Sequence, residues 1–399
     1  MRKHMEYKVI RAEKINLASI SAYLLMLLVF FQSILNKILI TILPIDNIIG
    51  YVMLLCTMVV IFTNRLRINR KFLIFYFACW GLLIYSIIFI GGSAIQGYII
   101  QFLSFGSCGI VCAFVQIDFQ KFFKYGGIAT AIFLILTLLE GFADAKYSAF
   151  AFGYALMPGI ISIFYLIYNS YLQKKWEYML VWAALEILGL FCLLHYCSRG
   201  NLLQLYIFAV LCLFLIFKKK ILGTISVLAV VIGVIFIEPI IMVLYQIMED
   251  MGIFISVIWK NYWLLTTPGQ TLIHGREDFY INVFCDLDIT SFLVGHGVGA
   301  YENIYESYVH NIFLQAFYEC GIVGIGFIIF VYAVFIKMMF NKRNTVYERE
   351  IYIMLFVLTL VKLCLSDIHW KVSLFWFIIA FLFDKLERKK SKNMLTIKV

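Results

Sequence analysis

Apolar residues occur in blocks close to 20 residues long along almost the whole chain, separated by short polar and mostly basic segments. Such a block, wound as a helix, matches the hydrocarbon thickness of a bilayer, whereas a membrane β-barrel would show short alternating segments. The pattern predicts an all-α polytopic membrane protein of about 12 transmembrane helices. The expected spans are 17–35, 48–63, 72–91, 97–116, 125–142, 149–168, 179–197, 201–217, 221–238, 311–336, 351–367 and 372–384. Pro158 falls within the sixth, where it is expected to kink the helix.

One break is long. Between Pro239 and Val309 lies a segment of mixed polar and aromatic character, while the other breaks have the length of plain helix connections. Long loops between membrane spans are where chemistry is concentrated. Residues 251–265 are apolar with two tryptophans and a tyrosine, as in a helix lying at the membrane interface. Arg276 to Asp288 alternates acids with Phe279, Tyr280, Ile281, Val283 and Phe284, which predicts a helix packed on one side. Gly295, Gly297 and Gly299 predict a tight turn before the next span. Three regions follow: N-terminal membrane helices (1–178), a core with the outer loop 239–309 (179–338), and C-terminal helices with a basic tail (339–399).

Composition sharpens this without changing it. The chain is 63% hydrophobic and 14% charged, with a mean hydropathy of +0.94, against roughly 25% charged residues in a soluble domain. The great majority of the 33 lysines and arginines fall in alternate connections and at the two ends. On the opposite side stand only Lys37, Lys146, Arg199, Lys260, Arg276 and Lys371, with Lys362 inside a span. This asymmetry predicts cytoplasmic termini and an extracytoplasmic long loop. It also accounts for the net charge of +10 without nucleic acid. The first apolar run has no small-residue cleavage site and is read as a retained span. The ten cysteines lie almost all within spans, Cys285 being the exception, and show no metal-ligand spacing.

Arg199, in Cys197-Ser198-Arg199-Gly200, stands at the outer start of a helix, and Arg276 is the other outer arginine. A guanidinium presents a planar fork of donors suited to phosphate oxygens, and helix N-termini favour anions. An arginine snorkelling to lipid head groups is the competing reading. His310-Asn311 occupies a similar helix start, with Glu319 two to three turns on. Histidine is the usual general base near neutral pH, but His310 and Asn311 acting together as a helix cap is the plainer alternative. His274 and His296, each beside glycine, are read as loop structure, and His195 as an orienting or packing neighbour of Arg199. Asp286-Leu287-Asp288 looks like a metal-binding Asp-x-Asp, but solvated loop acids are the simpler account and no metal is assigned. Glu186 and Lys362, both inside spans, are expected to pair with each other.

Taken in order, Ser198-Arg199-Gly200, Gly275-Arg276, Gly295-His296-Gly297-Val298-Gly299, His310-Asn311-Ile312-Phe313-Leu314-Gln315 and Glu319-Cys320-Gly321-Ile322-Val323-Gly324 resemble the core of the O-antigen polymerase/ligase superfamily. The resemblance covers roughly residues 190–330. It implies a GT-C-like membrane glycosyltransferase in a bacterial inner membrane. Such an enzyme transfers a glycan from a polyprenyl diphosphate carrier to an acceptor sugar hydroxyl at the outer face, with inversion and without a metal or cofactor. Arg199 and Arg276 would hold the diphosphate, His310 would be the base, and Ser198, Asn311 and Glu319 would support them. Its partners would be the lipid-linked donor and acceptor, membrane lipids, and the chain-length regulator and flippase of the same pathway. Two alternatives stay open: a ligase to lipid A core, and a lipid-linked oligosaccharide flippase or other transporter. The latter class places its charges within spans that line a cavity.

Overall fold

The computed structural model describes residues 17–42, 48–64, 66, 68, 70–115, 117–139, 149–196, 199–268 and 276–396. The chain is all-helical, with no strand among the described residues. In order the helices are α1 (Leu17–Phe30), α2 (Gln32–Ile42), α3 (Ile48–Asn64), α4 (Arg70–Phe89) and α5 (Ser93–Ala113). Then come α6 (Phe119–Leu139), α7 (Ala149–Leu172), α8 (Trp176–Tyr196), α9 (Arg199–Ile216) and α10 (Lys220–Ile235). The long break holds α11 (Ile237–Asp250), α12 (Ser256–Thr266), α13 (Arg276–Cys285), α14 (Ile289–Val294) and α15 (Ala300–Tyr305). The chain ends with α16 (Ile312–Met339), α17 (residues 346–365, with a π-helical middle) and α18 (Ser373–Thr396).

Among the described residues, seven helices are long and apolar enough to cross a membrane: α4, α5, α6, the Phe152–Leu172 part of α7, α8, α9 and α16. Their outward faces are apolar too. Helix α4 exposes Ile74, Phe77, Ile88 and Phe89, and α8 exposes Leu180, Val181, Ile187 and Phe191. Apolar surface on this scale would be unfavourable in water and is the natural face toward lipid. The expected span 17–35 is not one helix: it breaks at Phe31, and α2 restarts at Gln32. The expected span 221–238 likewise breaks at Phe236, between α10 and α11.

The core gathers around α18. Its residues Leu374 to Ala380 are all buried, despite their place near the end of the chain. Close approach of helices in lipid depends on small residues, because solvent exclusion contributes little there. Gly109 of α5 is such a contact: a Cβ at this position would collide with the Ser373 backbone at the start of α18.

The long break follows the sequence pattern closely. Helix α12 covers most of the expected stretch 251–265 and ends one residue past it, α13 falls within 276–288, and α13 buries Val283 and half-buries Phe279 and Tyr280. Gly295, Gly297 and Gly299 have φ of 78°, 92° and 80°. These left-handed values are open to glycine at little steric cost.

Candidate functional site

Helix α16 organises one end of the bundle. Asn311 is its N-cap and accepts hydrogen bonds from the backbone N–H of Phe313 (3.0 Å) and Leu314 (3.3 Å). The helix starts soundly without any contribution from the His310 side chain. His310 itself has φ 58°, a conformation uncommon for a side-chain-bearing residue. Its ring packs against Tyr308 at 3.9 Å between centroids and stacks on Phe279 of α13 at 5.6 Å. Its Nδ1 has no hydrogen-bond partner among the described residues. The sequence reading attached a cap to both residues; the structure gives the cap to Asn311 and leaves His310 with an unengaged ring nitrogen.

Basic groups surround that ring. Burial pushes the His310 pKa down, and Arg276 and Lys371 push it further, against the opposing pull of Asp367, to about 4. At a helix N-terminus the dipole alone already favours a neutral imidazole. Desolvation and two cations are the stronger causes. Lys260, on α12, is likewise held below its usual range by burial and then by Arg199 and Arg276. Arg199, Lys260, Arg276 and His310 come from four separate helix boundaries or helices, yet Arg199 and Lys260 fall within electrostatic reach of Arg276, and Arg276 within reach of His310. No carboxylate among the described residues lies within ion-pair distance of Arg276 or Lys260. Lys260 was not singled out from the sequence: inside an aromatic interfacial helix it reads as a solvated charge.

Glu319 is buried beneath this cluster, one turn past Gln315 on the same face of α16. Gln315 Nε2 donates to Glu319 Oε1 at 2.7 Å and to Glu302 Oε1 at 2.9 Å, while its Oε1 accepts from the Val309 N–H at 3.1 Å. Trp370 Nε1 donates to Glu319 Oε2 at 2.8 Å. Burial raises the Glu302 pKa, against hydrogen bonds from Tyr98 and Gln315 that lower it. The two carboxyl groups thus lock the segment 302–309 to the helix start that carries His310. The sequence pointed to Glu319 and missed Glu302, 13 positions before Gln315.

Ser198 and His274 lie outside the described residues, as does the side chain of His195. His296 packs its ring on Tyr318 at 4.4 Å between centroids, in keeping with a loop role. Asp286 accepts from the hydroxyls of Tyr305 (2.9 Å) and Tyr318 (2.8 Å). Asp288 caps α14 in a reciprocal capping box with Ser291. Both acids have structural partners, and no His/Cys/Asp/Glu group able to hold a metal occurs among the described residues. The expected Glu186–Lys362 pair does not form. Lys362 instead binds Asp367 at 2.7 Å, and Lys371 binds the same carboxylate at 3.0 Å. Asp367 lies only five positions from Lys362, and the chain leaves the helix between them, at Ser366. The two residues are therefore neighbours in space at the end of a single helix. Comparison of the chain with protein-family models, with curated proteins and with solved structures finds no match.

Proposed function

We propose that this protein is a membrane glycosyltransferase that polymerises a polysaccharide, drawing its donor from a polyprenyl diphosphate carrier at the outer face of a bacterial inner membrane. The observation that carries this reading is a run of cations, Arg199 and Lys260 within electrostatic reach of Arg276, and Arg276 within reach of a neutral His310. Together these cations form a site suited to a multiply charged anion. A diphosphate ester brings that anion, and it is a good leaving group once its charge is stabilised.

The acceptor hydroxyl oxygen attacks the anomeric carbon of the donor sugar and forms the new C–O bond. The bond from that carbon to the carrier diphosphate breaks, and the diphosphate leaves with the electron pair into the Arg199–Lys260–Arg276 cluster. The hydroxyl proton passes to the free nitrogen of His310. Attack opposite the leaving group inverts the anomeric centre. A base with a pKa of about 4 is weak at neutral pH. The arriving diphosphate neutralises Arg276, one of the two cations that depress it, and so raises its basicity when donor is bound.

The test is in vitro polymerisation from lipid-linked repeat units by purified protein, comparing wild type with the His310→Ala and Arg276→Ala variants. Loss of polymer in both, with normal membrane insertion, supports the reading; normal polymer in both overturns it. A ligase would give product only when a lipid A core acceptor is supplied. The transporter reading draws its support from a polar cavity beside Lys362, Asp367 and Lys371. It predicts movement of lipid-linked sugar across vesicles without any new glycosidic bond.

A further inference from the structure

A cavity of ≈ 240 Å³ lies among α1, α2, α5, α7, α9 and α17, next to the candidate site. The break at Phe31 starts a new helix at Gln32, and Gln32 and Ser33 lie on the cavity wall. Gln101, Gln204 and Ser373 also line it, and the charged lining groups are Lys362, Asp367 and Lys371. Both lysines bind the one aspartate, so the wall carries a net single positive charge. The cavity adjoins His310 through one residue: Lys371 lies 5.5 Å above the Tyr308 ring, and that ring packs on His310 at 3.9 Å.

The polar groups specify more than an anion. Gln204 is fully buried, and its Nε2 donates to the Val357 carbonyl at 3.0 Å, which fixes the amide orientation. Its Oε1 then has no donor among the described residues, and neither does the Oε1 of Gln101. A buried acceptor without a donor is costly, so a ligand that brings O–H groups is favoured. Inorganic phosphate or a lipid phosphate brings charge but few donors, and a neutral sugar brings donors but no charge. A sugar bearing a carboxylate brings both. The volume lies below the roughly 300–1,000 Å³ of drug-sized sites, which suits one ring rather than an oligosaccharide.

We propose that this cavity binds a single acidic sugar residue, of the uronic acid class, with its carboxylate at Lys362 and Lys371 and its hydroxyls at Gln32, Gln101 and Gln204. That this residue belongs to the acceptor glycan rests on the polymerase reading; the binding itself does not. The experiment is saturation-transfer NMR and calorimetry on the full-length protein in nanodiscs, without lipid carrier. The probes are the methyl glycosides of glucuronic, galacturonic and mannuronic acid, methyl glucoside and inorganic phosphate.

At least one uronoside should bind saturably, and about tenfold or more tighter than methyl glucoside or phosphate, the scale of one charge-assisted hydrogen bond. Lys371→Gln and Gln32→Leu should each weaken that binding, while His310→Ala should bind as wild type. Gln32 is only half-buried, so its variant keeps the test sound if Lys371→Gln misfolds. The proposal is overturned if no uronoside binds, if methyl glucoside or phosphate binds as well, or if binding survives both variants. Binding can fail while wild-type protein still polymerises in a His310-dependent manner, and it can succeed in a protein that makes no polymer. The two readings are therefore separable.

Discussion

Gly297 donates its backbone N–H to the carbonyl oxygen of Glu319 at 2.9 Å, and this bond joins the glycine turn to a break in the longest helix. Cys320 and Gly321 leave helical geometry (φ −133° and +58°), which frees carbonyls upstream. His296 N–H takes that of Tyr318 at 2.8 Å, and Gly297 takes that of Glu319. Freed helix carbonyls at membrane depth are tolerated only when protein groups satisfy them. The turn is therefore what permits α16 to break there, directly beside the Glu319 side chain that anchors the segment leading to His310.

Two alanine substitutions at this junction should differ in cost. At Gly321 a Cβ would meet the backbone of Leu293 and Phe292, which cannot move aside, while the positive-φ strain of roughly 1–3 kcal/mol is common to both glycines. At Gly297 it would meet the flexible end of the Ile90 side chain and, less closely, Ser86 Oγ. Gly321→Ala should lower the melting temperature in detergent clearly more than Gly297→Ala. Equal shifts, read by tryptophan fluorescence, would refute this packing account.

Orientation has a native reporter. Cys285 is exposed at the end of α13, and the other described cysteines are buried or half-buried. A membrane-impermeant maleimide added to intact cells should modify Cys285 and spare a Lys219→Cys residue, exposed between α9 and α10. Labelling of position 219 alone would reverse the predicted topology, which rests on the distribution of basic residues.

Arg276 and Lys371 offer a direct measurement. Burial and these two cations depress the His310 pKa. Arg276→Gln should raise it toward its ordinary value, as should Lys371→Gln, in NMR titrations of ring-labelled histidine. An unchanged titration in both variants would show that the cations lie too far away to matter.

How much of this was legible in the sequence depends on the range of the interactions. Helix content, the one-sided α13 and the three positive-φ glycines are local properties, carried by hydrophobic period and residue type. The helix breaks at Phe31 and at Cys320-Gly321 were not, because each lies inside a stretch that reads as one span, and the second depends on distant backbone groups, those of His296 and Gly297, to satisfy its carbonyls. The Asp367 partner of Lys362 was hidden for another reason. A helical reading to residue 367 puts the two residues on different faces, whereas the actual exit at Ser366 folds the aspartate back. Among site residues, Arg199, Arg276 and His310 stood out by position, while Glu302 acquires meaning only when α15 packs beside α16, and Lys260 only when α12 comes within reach of Arg199 and Arg276.

The pH dependence of His310 supplies the most demanding prediction, because stability and catalysis should respond differently. The folded pKa of about 4 lies below the ordinary 6.5. As pH falls below about 6.5 the unfolded chain takes up its proton first, so this residue's contribution to stability is intact above that value. The contribution is lost as pH falls toward 4, and His310→Gln should flatten that part of the stability profile. In catalysis the free enzyme needs neutral His310, so the acid limb of kcat/KM should lie near pH 4. With donor bound, the diphosphate offsets Arg276 and the His310 pKa rises, so the acid limb of kcat should sit at higher pH. His310→Ala should lower kcat by about 10²–10⁴-fold, the usual contribution of a general base. An acid limb of kcat/KM that persists unchanged in His310→Ala would assign the base to another group, and Glu302, held by Gln315 beside the same helix start, would be the next to test.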